Sequence, residues 1–169
     1  MGGYRPNGEC HQQGSPGERC EPRSLAGLHS SQMKNSTRPR ITVSLRMRHP
    51  CMDPRDISAG LGMEPEFKWK AGDQRTTPKG RRLDGVHDSS YWCCEIHRPS
   101  EIDLPEALEF CIKGLGGKAR FMEEFRQTGG AIEFLVGWFA GRNCGGALGW
   151  KLIRRLADMQ INLAFDIYS

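Results

Sequence analysis

Residues 41–48 alternate without a break: Ile41, Val43, Leu45 and Met47 are apolar, while Thr42, Ser44, Arg46 and Arg48 are polar. Successive side chains of a strand point to opposite faces, so the segment predicts a strand with one buried and one wet face. Such a strand needs neighbours in a sheet and an apolar layer over one side. The end of the chain repeats the pattern, with Ile161, Leu163, Phe165 and Ile167 against Asn162, Ala164, Asp166 and Tyr168. Two further strands are predicted between them. Ser90–Ile96 carries Tyr91, Trp92, Cys93 and Cys94, types that suit a pleated surface. Ala131–Phe139 sets Ile132, Phe134, Val136 and Trp138 on one face and Leu135 with Glu133 on the other. That reads as a central strand covered on much of both faces.

Helical signals fall between the strands. Asp53 is an N-cap, Pro54 suits the first helical position, and Ile57 and Leu61 lie one turn apart before Gly60 and Gly62 end the helix. Asp103-Leu104-Pro105-Glu106 has the form of a capping box. Leu104, Ala107, Leu108, Cys111, Ile112 and Leu115 then recur down one face, and Gly114, Gly116 and Gly117 break the helix. Another helix, from about residue 118 to 127, buries Phe121, Met122 and Phe125 and stops at Gly129-Gly130. The last places Leu148, Leu152, Leu156 and Met159 inward. The order βαβ, two helices, βαβ predicts an α+β fold: a ferredoxin-like split βαβ sandwich. Its sheet is four-stranded and mainly antiparallel, with the first and third strands central. One face of such a sheet stays open unless the helical pair or a second copy in a homodimer covers it, and both alternatives stand.

The 169 residues suit one domain, expected over 41–169. Residues 1–40 are rich in Gly, Pro, Ser, Gln and Arg without apolar periodicity, which predicts a disordered N-terminal tail. Met33 would make an ordinary start, so residues 1–32 are expected to be an upstream extension. The net charge of +4 does not mark a nucleic-acid binder, because most of the excess lies in that tail. Arg5, Arg19, Arg23, Lys34, Arg38 and Arg40 face only Glu9, Glu18 and Glu21 there. The remainder is close to neutral, which argues against a broad phosphate-binding face. No apolar run approaches the ~18 residues of a membrane span, and the N-terminus lacks an apolar signal region. The expectation is a cytoplasmic protein with no membrane partner. The seven cysteines include no C-x-x-C pair and read as reduced thiols. Cys10, His11, Cys20 and His29 match no zinc-finger spacing, so no metal and no cofactor is expected.

No nucleotide loop, zinc-protease motif or nucleophile elbow occurs. Gly114-Leu115-Gly116-Gly117-Lys118 lies between helices and reads as a helix break. Gly141–Gly146 leads from a strand into a helix and is better placed for an anion, though a plain turn accounts for it. Cys51 beside His49, at a helix start, is the nearest thing to an activated nucleophile. His87 and His97 flank the second strand, and capping accounts for Asp53 and Asp56. No catalytic residue is assigned.

Residues 64–88 form a long connection punctuated by Pro65, Gly72, Pro78, Gly80 and Gly85, read as irregular. Between residues 68 and 82, Lys68, Lys70, Arg75, Lys79, Arg81 and Arg82 face only Asp73, with Trp69 among them. Cations beside an aromatic suit phosphates, stacked bases or an acidic protein surface. These residues, together with Trp92 on the second strand, form the candidate recognition surface. The reading is a non-enzymatic interaction domain with a protein partner. The alternative is a regulatory domain that binds a small anion or nucleotide.

The segments ITVSLRM, ISAGLGMEPEFKWKAGD, SSYWCCEI, LPEALEFCIKGL, IEFLVGW and LIRRLADMQINLAFDIY resemble a bacterial family catalogued as domain of unknown function 4279. The resemblance spans about residues 41–168, and its most specific parts are Leu-Gly-Met-Glu-Pro followed by Lys-Ala-Gly-Asp, and the Asp-Ile-Tyr ending. It brings no established activity or catalytic residue. It implies a compact bacterial cytoplasmic protein, with toxin neutralisation or binding of another protein as roles by analogy only.

Overall fold

A computed structural model describes residues 40–97, 102–139 and 145–168. The tail, its cysteines and histidines, and most of the 141–146 turn lie outside the described residues. The alternating opening segment forms β1 (Arg40–His49), followed by α1 (Pro54–Leu61). Asp53 caps α1 by accepting from the Arg55 N–H, and Gly62 closes it in the left-handed conformation at φ 67°. Gly60 does not stop the helix. It lies within α1, where the Phe121 ring packs so close that a Cβ would sit 2.3 Å from it.

The connection read as irregular contains three short strands: β2 (Phe67–Trp69), β3 (Gln74–Thr76) and β4 (Arg82–Val86). β5 (Ser90–Glu95) follows, then α2 (Leu104–Leu115) with both halves of its capping box formed between Asp103 and Glu106. Gly114 is part of α2, which passes through a 3₁₀ turn at Gly116–Lys118 into α3 (Ala119–Gln127). β6 (Ala131–Phe139), α4 (Trp150–Asp158) and β7 (Asn162–Tyr168) complete the chain.

The fold is α+β, with one five-stranded sheet in the order β2-β5-β1-β6-β7 and a separate β3-β4 ribbon. The first and third predicted strands, β1 and β6, are inner strands. The four-stranded ferredoxin-like arrangement is not what forms. β1 is antiparallel to both β5 and β6, whereas β6 and β7 are parallel. The reason lies in the connections. Chain leaving α1 spends an extra reversal on β2, so it enters β5 antiparallel to β1. The α4 crossover brings β7 back parallel to β6.

The described helices share one side of the sheet. Val43, Leu45 and Met47 of β1, Trp92 of β5 and Phe134 and Val136 of β6 are fully buried there, against Ile57, Leu108 and Phe125 of the helices. Each such side chain contributes about 1.5–3 kcal/mol on burial. The opposite face carries Thr42, Ser44, Arg46 and Arg48 of β1 and Glu133, Leu135 and Phe139 of β6. Among the described residues no element roofs it, although Glu133 and Leu135 are half-buried there, so the second covering layer that the composition of β6 predicts is not among them. A strand's apolar content reports how well it would tolerate burial; whether a layer exists to bury it is a tertiary property.

Candidate binding surface

The uncovered face acquires a distinct character at the β2 end. β2 pairs with β5 so that Trp69 lies opposite Tyr91, and β5 pairs with β1 so that Tyr91 lies opposite Arg48. The three side chains therefore share one row across three strands. The Trp69 ring stacks on Tyr91 at 4.2 Å and 17°, and the Arg48 guanidinium carbon sits 5.6 Å from the Tyr91 ring centroid. On its other side Trp69 stacks on His87 at 4.5 Å and 18°. The result is a continuous pile of imidazole, indole, phenol and guanidinium at the rim of the sheet. Phe67, largely exposed, continues the aromatic character along β2. A second stack closes the far end, where Phe139 lies on Tyr168 at 4.7 Å with Arg40 over its outer face.

The β3-β4 ribbon projects beside the His87 end. Its base is tied by backbone bonds from Gly72 to His87 and from His87 to Asp73, and by the Ala71 N–H donating to the buried Ser90 hydroxyl. Its tip turns at Thr77–Gly80, with Pro78 at the second position and Gly80 at φ 79°. Arg75, Lys79, Arg81 and Arg82 on this ribbon are exposed and have no ion-pair partner among the described residues. Only Asp84 balances them within the ribbon itself. Lys68 projects from β2 toward the helix side. Lys70 is spoken for by Asp53, 3.1 Å away. That contact and the Arg55 N–H hold the Asp53 carboxyl below the usual carboxylate range, with the Arg55 bond the larger cause.

Of the residues singled out from the sequence, Trp69 lies on this rim, Arg75, Lys79, Arg81 and Arg82 lie on the ribbon tied to it at its base, and Trp92 is elsewhere. Trp92 is fully buried on the helix side, its indole N–H donating to Ser58 Oγ at 3.0 Å. The even spacing from Trp92 to Cys94 hides this, because either face of β5 satisfies the same sequence pattern. His87, Tyr91 and Arg48 were not legible as partners of Trp69. Their one trace in sequence is that Arg48 occupies the wet phase of β1.

Burial pushes the Tyr91 phenol up to about 12, with the Cys93 thiol adding to it through a shared hydrogen bond. Burial also raises the Cys93 and Cys94 thiols, so both stay protonated and non-nucleophilic at neutral pH. His49 does not serve Cys51. Its Nδ1 accepts from the backbone N–H groups of Cys51 and Met52, leaving nothing aimed at the thiol. His87 and His97 lie at opposite ends of β5. Among the described residues no group of three His, Cys, Asp or Glu is placed to hold a metal ion, and no helix is long and apolar enough to cross a membrane.

An open-faced α+β domain with an aromatic rim is thus the class that fold and surface define. The chain belongs to the family described as Domain of unknown function (DUF4279), whose model matches residues 39–169. No curated protein and no solved structure matches it.

Proposed function

We propose that this protein is a non-enzymatic interaction domain whose β2–β5 rim and β3-β4 ribbon dock an acidic, partly apolar surface of another protein. The observation that carries this reading is the His87–Trp69–Tyr91–Arg48 stack at the base of a ribbon whose four cations have no ion-pair partner among the described residues. Rigid aromatics flanked by arginine are the residue types that dominate binding energy at protein interfaces. A stack already formed loses little side-chain freedom on docking. The charge on the uncovered face supports a protein over a polyanion. Arg46 is paired with Glu133, and Glu95 and Asp166 share the same face, so only the ribbon is strongly positive.

The test is affinity capture from the source cell with cross-linking, comparing the wild-type chain with Arg75→Glu/Arg81→Glu/Arg82→Glu and with Trp69→Ala. Both variants should lose the same partner while keeping the wild-type circular dichroism; the triple variant should also keep the melting temperature, and Trp69→Ala should lower it by the loss of two ring stacks. An unchanged partner set with the triple variant, whose changes are all on exposed side chains, would overturn the reading. A labelled single-stranded oligonucleotide is the second arm. Binding that weakens steeply with added salt and disappears in the triple variant would replace the protein partner with a nucleic acid.

A further inference from the structure

We infer that β7 is a dimerisation edge: two copies of this chain join through antiparallel β7–β7 pairing to form one continuous ten-stranded sheet. β7 lies at the opposite edge of the sheet from the surface proposed above, and the inference is independent of it.

The two edges are treated differently by the sequence. β2 is three residues long, carries Lys68 and follows Pro65, the usual means of keeping an edge from pairing with a stranger. β7 has seven residues, with no proline, lysine or arginine, and its register with β6 runs unbroken from Asn162 to Tyr168. Among the described residues nothing pairs with its outer side, which presents a row of backbone donors and acceptors. Its one charge, Asp166, accepts a hydrogen bond from the Tyr168 hydroxyl.

The side chains point the same way. Phe165 and Ile167 lie on the helix side of the sheet, in register with Val136 and Trp138, where an apolar residue is normally sealed. They are 44% and 65% exposed, so the described helices do not seal them. On the same side α4 turns Leu152 and Leu156 inward and leaves Trp150 69% and Ile153 50% exposed, one turn apart on its outer stripe. On the helix side these four residues present on the order of 400 Å² of apolar surface, taking about 150–250 Å² for each fully exposed aromatic, while Tyr168 flanks the edge on the other face. That is the size of the largest apolar patch a monomer normally leaves open. With the paired backbone it supplies a large part of the ~800 Å² per partner of a standard interface.

Self-complementarity selects a second copy as the occupant. A two-fold axis through Phe165, normal to the sheet, pairs Phe165 with itself, Leu163 with Ile167, and Ala164 with Asp166. The apolar pairs then stay on the helix side of both copies. The two Asp166 carboxylates never face each other. An aromatic and an apolar cross-strand pair each stabilise such a ladder, whereas directly opposed carboxylates would oppose it.

Sedimentation equilibrium of the full chain tests this. The wild type should run at twice 19.0 kDa at micromolar concentration, and Ile167→Lys and Phe165→Lys should each shift it to 19.0 kDa with an unchanged far-ultraviolet spectrum. Phe165→Cys should form a disulfide-linked dimer on mild oxidation, since residue 165 meets itself at the axis, while Ile153→Cys should do so far more slowly. A wild type that stays at 19.0 kDa throughout would overturn the inference, as would a dimer indifferent to Ile167→Lys. A chain that is monomeric whole but dimeric once residues 1–39 are removed would also overturn it, by showing that the edge is covered by the chain's own N-terminal segment.

Discussion

His49 ends β1 with its ring on the helix side, 3% exposed. Its Nδ1 faces two backbone donors, Cys51 N at 3.1 Å and Met52 N at 2.8 Å, so that nitrogen must carry a lone pair. The proton therefore sits on Nε2, which donates to Thr128 Oγ1 at 2.9 Å while the Thr128 hydroxyl donates on to the end of α3. Burial holds this imidazole below its ordinary range, with the Thr128 contact working the other way. The sign of the pH dependence follows. Below about pH 6.5 the unfolded chain takes up the proton and the native state does not. Stability should be flat from pH 8 to 7 and fall as pH drops through the interval between 6.5 and the depressed native value. Melting temperatures across that range check this. His49→Gln should flatten the acid limb and cost about 1 kcal/mol at pH 8 by taking the acceptor from two part-buried N–H groups. A mutant with the wild-type acid limb would show that another group is responsible. None of this network is legible in the sequence. The i, i+2 spacing of His49 and Cys51 suggests a side-chain pair, whereas the ring bonds to backbone, through a turn whose geometry no residue type announces.

The elements divide by where their instructions reside. β1, α1 and α2 are readable because period and cap are local: unbroken alternation in one case, Asp53-Pro54 and Asp103–Glu106 in the others. β2, β3 and β4 are too short to show a period. They form because β5 and one another supply the hydrogen bonds, so 64–88 reads as loop. Glycines make the same point, since a helix breaker in sequence has opposite meanings in place. Gly114 lies in the exposed part of α2 with nothing within 4 Å of a would-be Cβ. Gly130, at the α3–β6 turn, would drive a Cβ to 2.2 Å from the Phe125 ring and 2.6 Å from its carbonyl oxygen. Gly114→Ala should therefore stabilise by about 0.5–1 kcal/mol, by removing unfolded-state freedom at a helical position. Gly130→Ala should destabilise by about 1–3 kcal/mol, because a backbone oxygen cannot step aside. Urea titrations with unchanged slopes would give both values, and equal shifts in one direction would contradict the packing described.

At the scale of the molecule, α+β character and the inner place of β1 and β6 follow from their being the strands with the most continuous apolar faces. Strand order and the parallel β6–β7 pair depend on which way each connection runs, and a single chain's residue pattern carries almost none of that information. The sheet order nevertheless makes a quantitative claim about how stability is distributed. β1 and β6 are bonded on both sides and sealed by helices, while the β3-β4 ribbon is bonded only to itself and exposed. Amides that open only on global unfolding belong to the first group, and those that open by local fluctuation to the second. Native-state hydrogen exchange should find Val43, Leu45, Phe134 and Val136 exchanging at the global limit, and Thr76 and Val86 orders of magnitude faster. Arg81→Glu should leave the slow set untouched, since that side chain bears on no core contact. The two edges should then differ in concentration dependence. If β7 pairs with a second copy, its outward-facing amides gain protection as the protein is concentrated, whereas those of β2 do not. Ribbon amides as slow as those of β1 would mean that the cationic excursion is part of the cooperative core. Its lysines and arginines would then need a structural explanation in place of a binding one.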